Sequence, residues 1–393
     1  MSLRCYRKGY YNSRMHSFLR YAIDKQADII SLIREMTECE SPSDSAPNVD
    51  RFVDLVVERT KDIAQAQTIQ GGRYGRHLRL EFKVGRPSKQ GQLLALGHSD
   101  TVWPLGTLKI MPFRQADGRL WGPGVLDMKS GLAFFFYAMR ALQELDVRVE
   151  RNVVLLIVSD EEVGSRTSRP YTEAEAKKSE CVLVLEPGTG LMGKLKTARK
   201  GIGNYTVFVE GKASHAGVDF SSGASAIVEA ARQIEKMAGF TSLRRGITVN
   251  PGVISGGTRS NVVAAEASID VDVRAVRLKD SAAIEKKLRA LTPVDRRCRI
   301  RVEGGLNRPP MERTRTIRKL FERARKIGGS MGLTLEESST GGGSDGNFTA
   351  ALGVATLDGL GGVGEGAHAV NESILVDRIA DRVALLAGLV ARL

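Results

Sequence analysis

Apolar residues recur at helical spacing between Ser17 and Glu38 (Leu19, Ile23, Ile29, Ile30, Ile33), and the breaker Ser41-Pro42-Ser43 follows. The pattern predicts a helix that ends there. A second helix is predicted from Asn48 to Ala64. Three short runs then turn almost wholly apolar: Leu93–Leu96, Val153–Val158 and Cys181–Leu185. Runs of that length read as central strands buried on both faces, as in a mainly parallel sheet. Between the first two, Gly131–Leu145 (GLAFFFYAMRALQEL) is a long apolar helix suited to packing on such a sheet. The alternation of strand and helix predicts α/β architecture.

The rhythm changes after about Lys196. Asn204–Gly211 (NYTVFVEG) alternates like a strand with one exposed face. A helix at Ala224–Met237, strands at Ile247–Ile254 and Val262–Val276, a helix at Ser281–Leu291 and a strand at Arg299–Val302 complete a βαββαβ unit. Arg308-Pro309-Pro310 closes it. From Thr314 the helix–strand rhythm resumes, with a helix to about Ser330, a strand near Val354–Leu357 and a last helix over Ser373–Leu393. The expected organisation is a large domain, residues 1–196 and 312–393, interrupted by a smaller α+β sandwich at 197–311.

Length agrees with two domains, since 393 residues exceed what one ordinary core encloses. Composition is that of a globular protein, and no apolar run approaches the roughly 20 residues of a membrane span. The basic N-terminus lacks the apolar core of a secretory signal. Cys5, Cys39, Cys181 and Cys298 are scattered, with no CxxC pair, and read as free thiols of a reducing compartment. A cytoplasmic protein is therefore expected. The formal net charge of +13 invites a nucleic-acid reading, but Lys and Arg form no run of five or six. Attraction of anionic substrates is the more modest use of that charge.

Chemistry concentrates at strand ends. Of five histidines, His98, His215 and His368 sit in Gly-rich, acid-containing contexts, and His16 and His77 do not. Gly97-His98-Ser99-Asp100-Thr101 directly follows an apolar strand, where ligands of open α/β sheets gather. His98 and Asp100, two apart, project to one side in extended backbone, so a carboxylate can orient the imidazole. Asp127, in GPGVLDMKSG, either caps the helix that follows or bridges two metals. Asp160-Glu161-Glu162 ends the next strand, and three adjacent acids repel unless a cation compensates them. Neighbours on a strand face opposite ways, so one Glu can ligate while the other faces a reacting water. Glu186, in LEPG, ends the third strand, and His368 lies just before the last helix. Two His and three carboxylates without Cys suit a catalytic pair of zinc ions, or cobalt or manganese. The residues alone reach a hydrolytic two-metal site.

GHSDTVWP, GPGVLDMKSG, DEEVGS, LEPG, KASHAG, the Asn261–Arg274 stretch and GAHAVNE follow one another in order between about Gly97 and Glu372. Together they resemble the zinc exopeptidase and deacylase family of glutamate carboxypeptidases, aminoacylase, acetylornithine deacetylase and succinyl-diaminopimelate desuccinylase. The detail is most similar to the bacterial glutamate carboxypeptidase branch. The resemblance implies that Asp127 bridges two zinc ions, one also held by His98 and Glu186, the other by Glu162 and His368. It implies Glu161 as general base, Asp100 as orienter of His98, and a cis Asp127–Met128 bond. His215 would stabilise the oxyanion in a neighbouring subunit's site, across a homodimer formed by the inserted lid domain. Asn261 and Arg274 would hold the substrate carboxylate, with Lys194 and Arg308 as further candidates. Ser344-Asp345 sits where relatives carry a similar pair, with no role assigned.

The expected reaction is cleavage of an amide bond next to a free carboxylate, releasing a C-terminal amino acid from a small peptide. An N-acyl-amino-acid deacylase, desuccinylase or dipeptidase would use the same constellation. A non-catalytic binding protein would have lost a ligand or the base, and neither is missing. Neither nucleic acid nor membrane is an expected partner.

Overall fold

The computed structural model describes residues 16–85 and 87–393; Cys5 and the basic N-terminal stretch lie outside them. The chain divides into two compact units. One runs to Thr197 and resumes over Arg313–Ser339 and Ser344–Leu393; the other comprises Ala198–Glu312 and Thr340–Gly343.

The larger unit is built on a six-stranded sheet. Strands β1 (Ala64–Gln70), β2 (Arg76–Phe82), β3 (Gln92–His98), β6 (Asn152–Val158), β7 (Ser179–Val184) and β14 (Ala355–Leu357) lie in the order β1-β2-β6-β3-β7-β14. The four from β6 to β14 are parallel, and β1 and β2 join antiparallel at one edge. Every residue of β3 is buried, as its unbroken apolar run requires of a strand covered on both faces. Helix α3 (Ser130–Glu144) carries Phe134, Phe135 and Phe136 into the main core. Its second residue, Gly131, sits where an added Cβ would lie 2.1 Å from the Leu185 carbonyl oxygen. Only glycine lets the helix come that close to the end of β7.

Register brings the chemistry together. His98 lies opposite Val158 of β6, and Leu96 opposite Val184 of β7. The segments that follow these strands, Asp160-Glu161-Glu162 and Leu185-Glu186, therefore emerge beside His98 at one edge of the sheet.

The smaller unit has the strand order β10-β11-β9-β12, all antiparallel: β9 (Gly201–Glu210), β10 (Thr248–Gly256), β11 (Glu266–Ala275) and β12 (Arg299–Arg308). Helices α5 (Ala226–Ala238) and α6 (Leu278–Arg289) pack on it around a separate core that includes Tyr205, Val207, Ile269 and Leu288. The Ser225 hydroxyl caps α5 by accepting from the Val228 amide.

Four expectations need correction. The first helical stretch is broken at Lys25, where ψ is 7°, and α1 begins afresh at Gln26–Glu38. The second, α2, ends at Thr60, because Ala64 already pairs with Phe82 in β1–β2. Ser373–Leu375 is not helical; it forms β16 of a small sheet with β4 (Arg114–Ala116), β5 (Arg119–Trp121) and β15 (Gly364–Glu365), and the final helix spans Ile379–Val390. Residues 340–343 belong to the smaller unit. The Arg199 guanidinium donates to the carbonyls of Gly342 and Gly343, and the Lys200 amide donates to that of Thr340.

Candidate metal centre

His98 is the last residue of β3, and its ring is buried. Its Nε2 lies 3.2 Å from Asp127 Oδ1 and 3.6 Å from Glu186 Oε1. The other oxygen of the same carboxylate, Asp127 Oδ2, lies 3.4 Å from His368 Nε2. That ring nitrogen is in turn 3.3 Å from Glu162 Oε1. Asp127 thus faces a different imidazole with each oxygen, and each imidazole has its own glutamate. Two clusters have ligand atoms all within 4.8 Å of one another: His98 with Glu161 and Glu186, and His98 with Asp127 and Glu162.

The donor set fits a metal. Glu162 Oε1 is buried and, apart from the His368 ring nitrogen 3.3 Å away, has no polar partner to complete it, an arrangement that suits a cation. Electrostatics agree. Burial works against the charged form of His98, yet contacts with Asp127 and Glu186 hold its imidazole well above the ordinary range. The same contact with Asp127, then that with Glu162, raises His368 to about 10. Burial opposes ionisation of Asp127, but His368 and His98 hold its carboxyl far below the usual range. Burial dominates at Glu162 and pushes it up.

The supports are specific. His98 Nδ1 lies 2.8 Å from the backbone carbonyl of Asp100, while the Asp100 carboxylate stands 3.7 Å away. The expected orientation of the ring by Asp100 therefore runs through the main chain. Its carboxylate is drawn elsewhere, accepting from the Glu161 and Glu162 amides at 3.2 Å and from the Ser43 hydroxyl at 2.7 Å. Asp100 thus sets the position of the two-glutamate turn. Asp345 accepts from the Ser165 hydroxyl in the same turn, and the Ser344 hydroxyl donates to Asp358. His368 adopts the left-handed region with φ 63°, which a residue with a Cβ occupies at a cost of about 1–2 kcal/mol. The Asp127–Met128 bond is cis.

Two further buried residues stand at the loop that carries Asp127. Glu372 accepts from the amides of Gly124, Leu126 and Asp127 at 2.9–3.0 Å and from the Trp103 indole at 2.7 Å. It holds the loop that presents Asp127. Lys129, whose ammonium burial pushes down to about 8, donates to the Cys39 carbonyl and lies over the Phe52 ring. Motif spacing hints at both, but their role rests on contacts with residues up to 269 positions away.

The remaining candidates lie elsewhere. Lys194, in the larger unit, is paired with Glu336 at 2.5 Å. In the smaller unit, His215 is exposed, and its Nδ1 accepts from the Gly217 and Val218 amides. The Asn261 carbonyl accepts from the Ala216 amide, which places Asn261 beside His215. Arg274 donates to Asp272 and to the Gly341 carbonyl, and Arg308 is buried.

Residues 94–392 match the peptidase family M20/M25/M40. The chain belongs to that family. It is a metal-dependent hydrolase. Carboxypeptidase G2 from Pseudomonas sp. (strain RS-16) is 30% identical over 356 residues, covering 88% of this chain and 84% of that protein. Acetylornithine deacetylase from Myxococcus xanthus is 30% identical over 193 residues, 46% of this chain and 49% of that one. The aminopeptidase PepT of Bacillus cereus shares the fold, with a TM-score of 0.74 at 21% identity over 93% of this chain and 98% of its own. No helix among the described residues is long and apolar enough to cross a membrane.

Proposed function

We propose that this chain is a dinuclear zinc carboxypeptidase that releases a C-terminal amino acid from a peptide or peptide-like amide. One observation carries the reading: the two oxygens of Asp127 face different imidazoles, each backed by its own glutamate. That is the arrangement of a carboxylate shared between two metal positions. His98 and Glu186 would hold one zinc ion, and His368 and Glu162 the other. Bound there, zinc lowers the pKa of water and polarises the scissile carbonyl.

The chain's own groups do the rest. Glu161 stands within reach of the His98–Glu186 position and takes the proton of the attacking water, then delivers it to the leaving nitrogen. His215 accepts two amides at Nδ1, which leaves Nε2 as the ring's donor, and the residue is exposed. It is suited to stabilising an oxyanion. In this reading the smaller unit is a lid and dimerisation domain, and His215 serves the site of a second copy. Exposed Ile227 and Val228 on α5, with Val253 and Ile254 on the edge strand β10, supply an apolar surface for that pairing. Asn261, Arg274 and Arg308 are proposed to receive the carboxylate of the leaving amino acid; a guanidinium fork suits that anion. Lys194, held by Glu336, is the weakest of these candidates.

The test is release of free amino acid from C-terminal-Glu peptides and N-acyl amino acids, with metal content measured on the same sample. Two zinc ions per chain and chelator-sensitive release of glutamate support the reading. Release only from N-acetyl or N-succinyl substrates makes the chain a deacylase on the same metals. A single ion per chain at saturation overturns the shared-carboxylate assignment.

A further inference from the structure

A cavity of 680 Å³ in the larger unit opens beside the metal centre, with Glu162 and Val163 in its wall. Arg73, Tyr74 and Arg166 line it together with Asp44. The metal mechanism uses none of these four. Arg166 makes no ion pair among the described residues, and the Arg73 guanidinium is engaged only by Tyr74, whose ring it covers at 4.7 Å and whose hydroxyl accepts from it. Asp44 pairs with neither, and Glu162 is turned toward His368. Most other arginines of this chain that face a carboxylate close on it, as Arg59 does on Glu35 and Arg313 on Glu337. Two guanidiniums lining one cavity without such partners leave positive charge there for an anion to complete. Their planar forks match a carboxylate in two-point contact.

We propose that the Arg73–Arg166 cavity is a specificity subsite for a second anionic group, a carboxylate carried on the acyl side of the scissile bond. The inference rests on the carboxypeptidase reading above. There the carboxylate of the leaving amino acid falls to Asn261, Arg274 and Arg308, so this cavity serves another acid. The substrate class is then a peptide with an acidic residue immediately before its C-terminal amino acid. The net charge of +13 favours capture of such a polyanion.

N-acetyl-Glu-Glu and N-acetyl-Gln-Glu differ only in that acid and make the test. With zinc-loaded protein, kcat/KM is expected to be on the order of tenfold higher for the first peptide, as charge-assisted hydrogen bonds provide. In the Arg73→Gln/Arg166→Gln double variant the ratio falls to near one. Calorimetric binding of both peptides to zinc-loaded Glu161→Gln should show the same discrimination, independently of turnover. A ratio near one in the unaltered protein, or a preference that survives in the double variant, overturns the subsite and leaves the carboxypeptidase reading standing. If neither peptide is bound or hydrolysed, the carboxypeptidase reading fails and the subsite falls with it.

Discussion

Glu161 and Glu372 are both acids of the candidate centre, with different work proposed for each. As the proposed general base, Glu161 would move a proton, so Glu161→Gln should keep two metal ions while turnover falls by about 10²–10⁴-fold. Metal loss in that variant, measured by mass spectrometry, would make it a ligand instead. Glu372 touches no reacting atom and acts through the backbone it holds. Glu372→Ala leaves three amides and an indole without their acceptor, at a cost of about 1–3 kcal/mol for each group that stays buried. Weaker zinc binding by competition titration and a lower melting temperature are expected together; loss of turnover with unchanged zinc affinity would sink this positioning role. A third residue gives a pH signature. His77 is buried against Ser159 and Thr167, and burial pushes its imidazole below the ordinary value. As pH falls below about 6.5 the unfolded chain takes up that proton first. The stability His77 holds above that pH is lost as pH falls through its depressed folded value. Urea titrations from pH 7 to 5 should show a shallower decline for His77→Gln than for the parent. Of the proposed ligands, Asp127 and His368 were reached through their motifs, and His98, Glu162 and Glu186 were legible in the sequence because each stands just past an apolar run. Glu372 and His77 were not, since their partners lie far along the chain.

At the scale of elements, legibility followed hydrophobic content. The fully buried strand β3, the largely buried β6 and β7 and the helix α3 announce themselves as apolar runs. β1 and β2 do not: Ala64–Gln70 has only its first residue buried, and Arg76, Arg79 and Glu81 interrupt the second strand. Their pairing is decided by the sheet edge they cover. The two- and three-residue strands of the small sheet around β16 are too short for any period to show. Packing between elements is equally invisible to a pattern of apolar positions, and Gly131 is the clearest instance. Replacing it by Ala puts a methyl group against the Leu185 carbonyl, the residue before Glu186. Helix or strand must shift, at about 1–3 kcal/mol. Gly131→Ala is therefore expected to lower both stability and zinc affinity. A variant with parental melting temperature and metal content would show that α3 has room the structure does not grant it.

For the molecule as a whole, the two-unit organisation reads from the change of rhythm near Lys196, but the assignment of residues 340–343 does not. They join the smaller unit through hydrogen bonds of Arg199 and Lys200, which no local pattern encodes. The division matters for stability because the two units hold separate cores, and all five proposed ligands lie in the larger one. A ligand that binds only the folded state stabilises it by about 4 kcal/mol when present at a thousandfold excess over its Kd. Chelation should therefore lower the unfolding temperature of the larger unit. The smaller unit, whose core contains none of the proposed ligands, should hold its own. Calorimetry with and without chelator, with hydrogen exchange to assign each transition, reads this directly. Protection lost across β3, β6 and β7 but kept across β9 and β11 is the expected result. Equal loss in both would mean that the units unfold as one, and that the metals secure the entire chain rather than the sheet edge where their ligands converge.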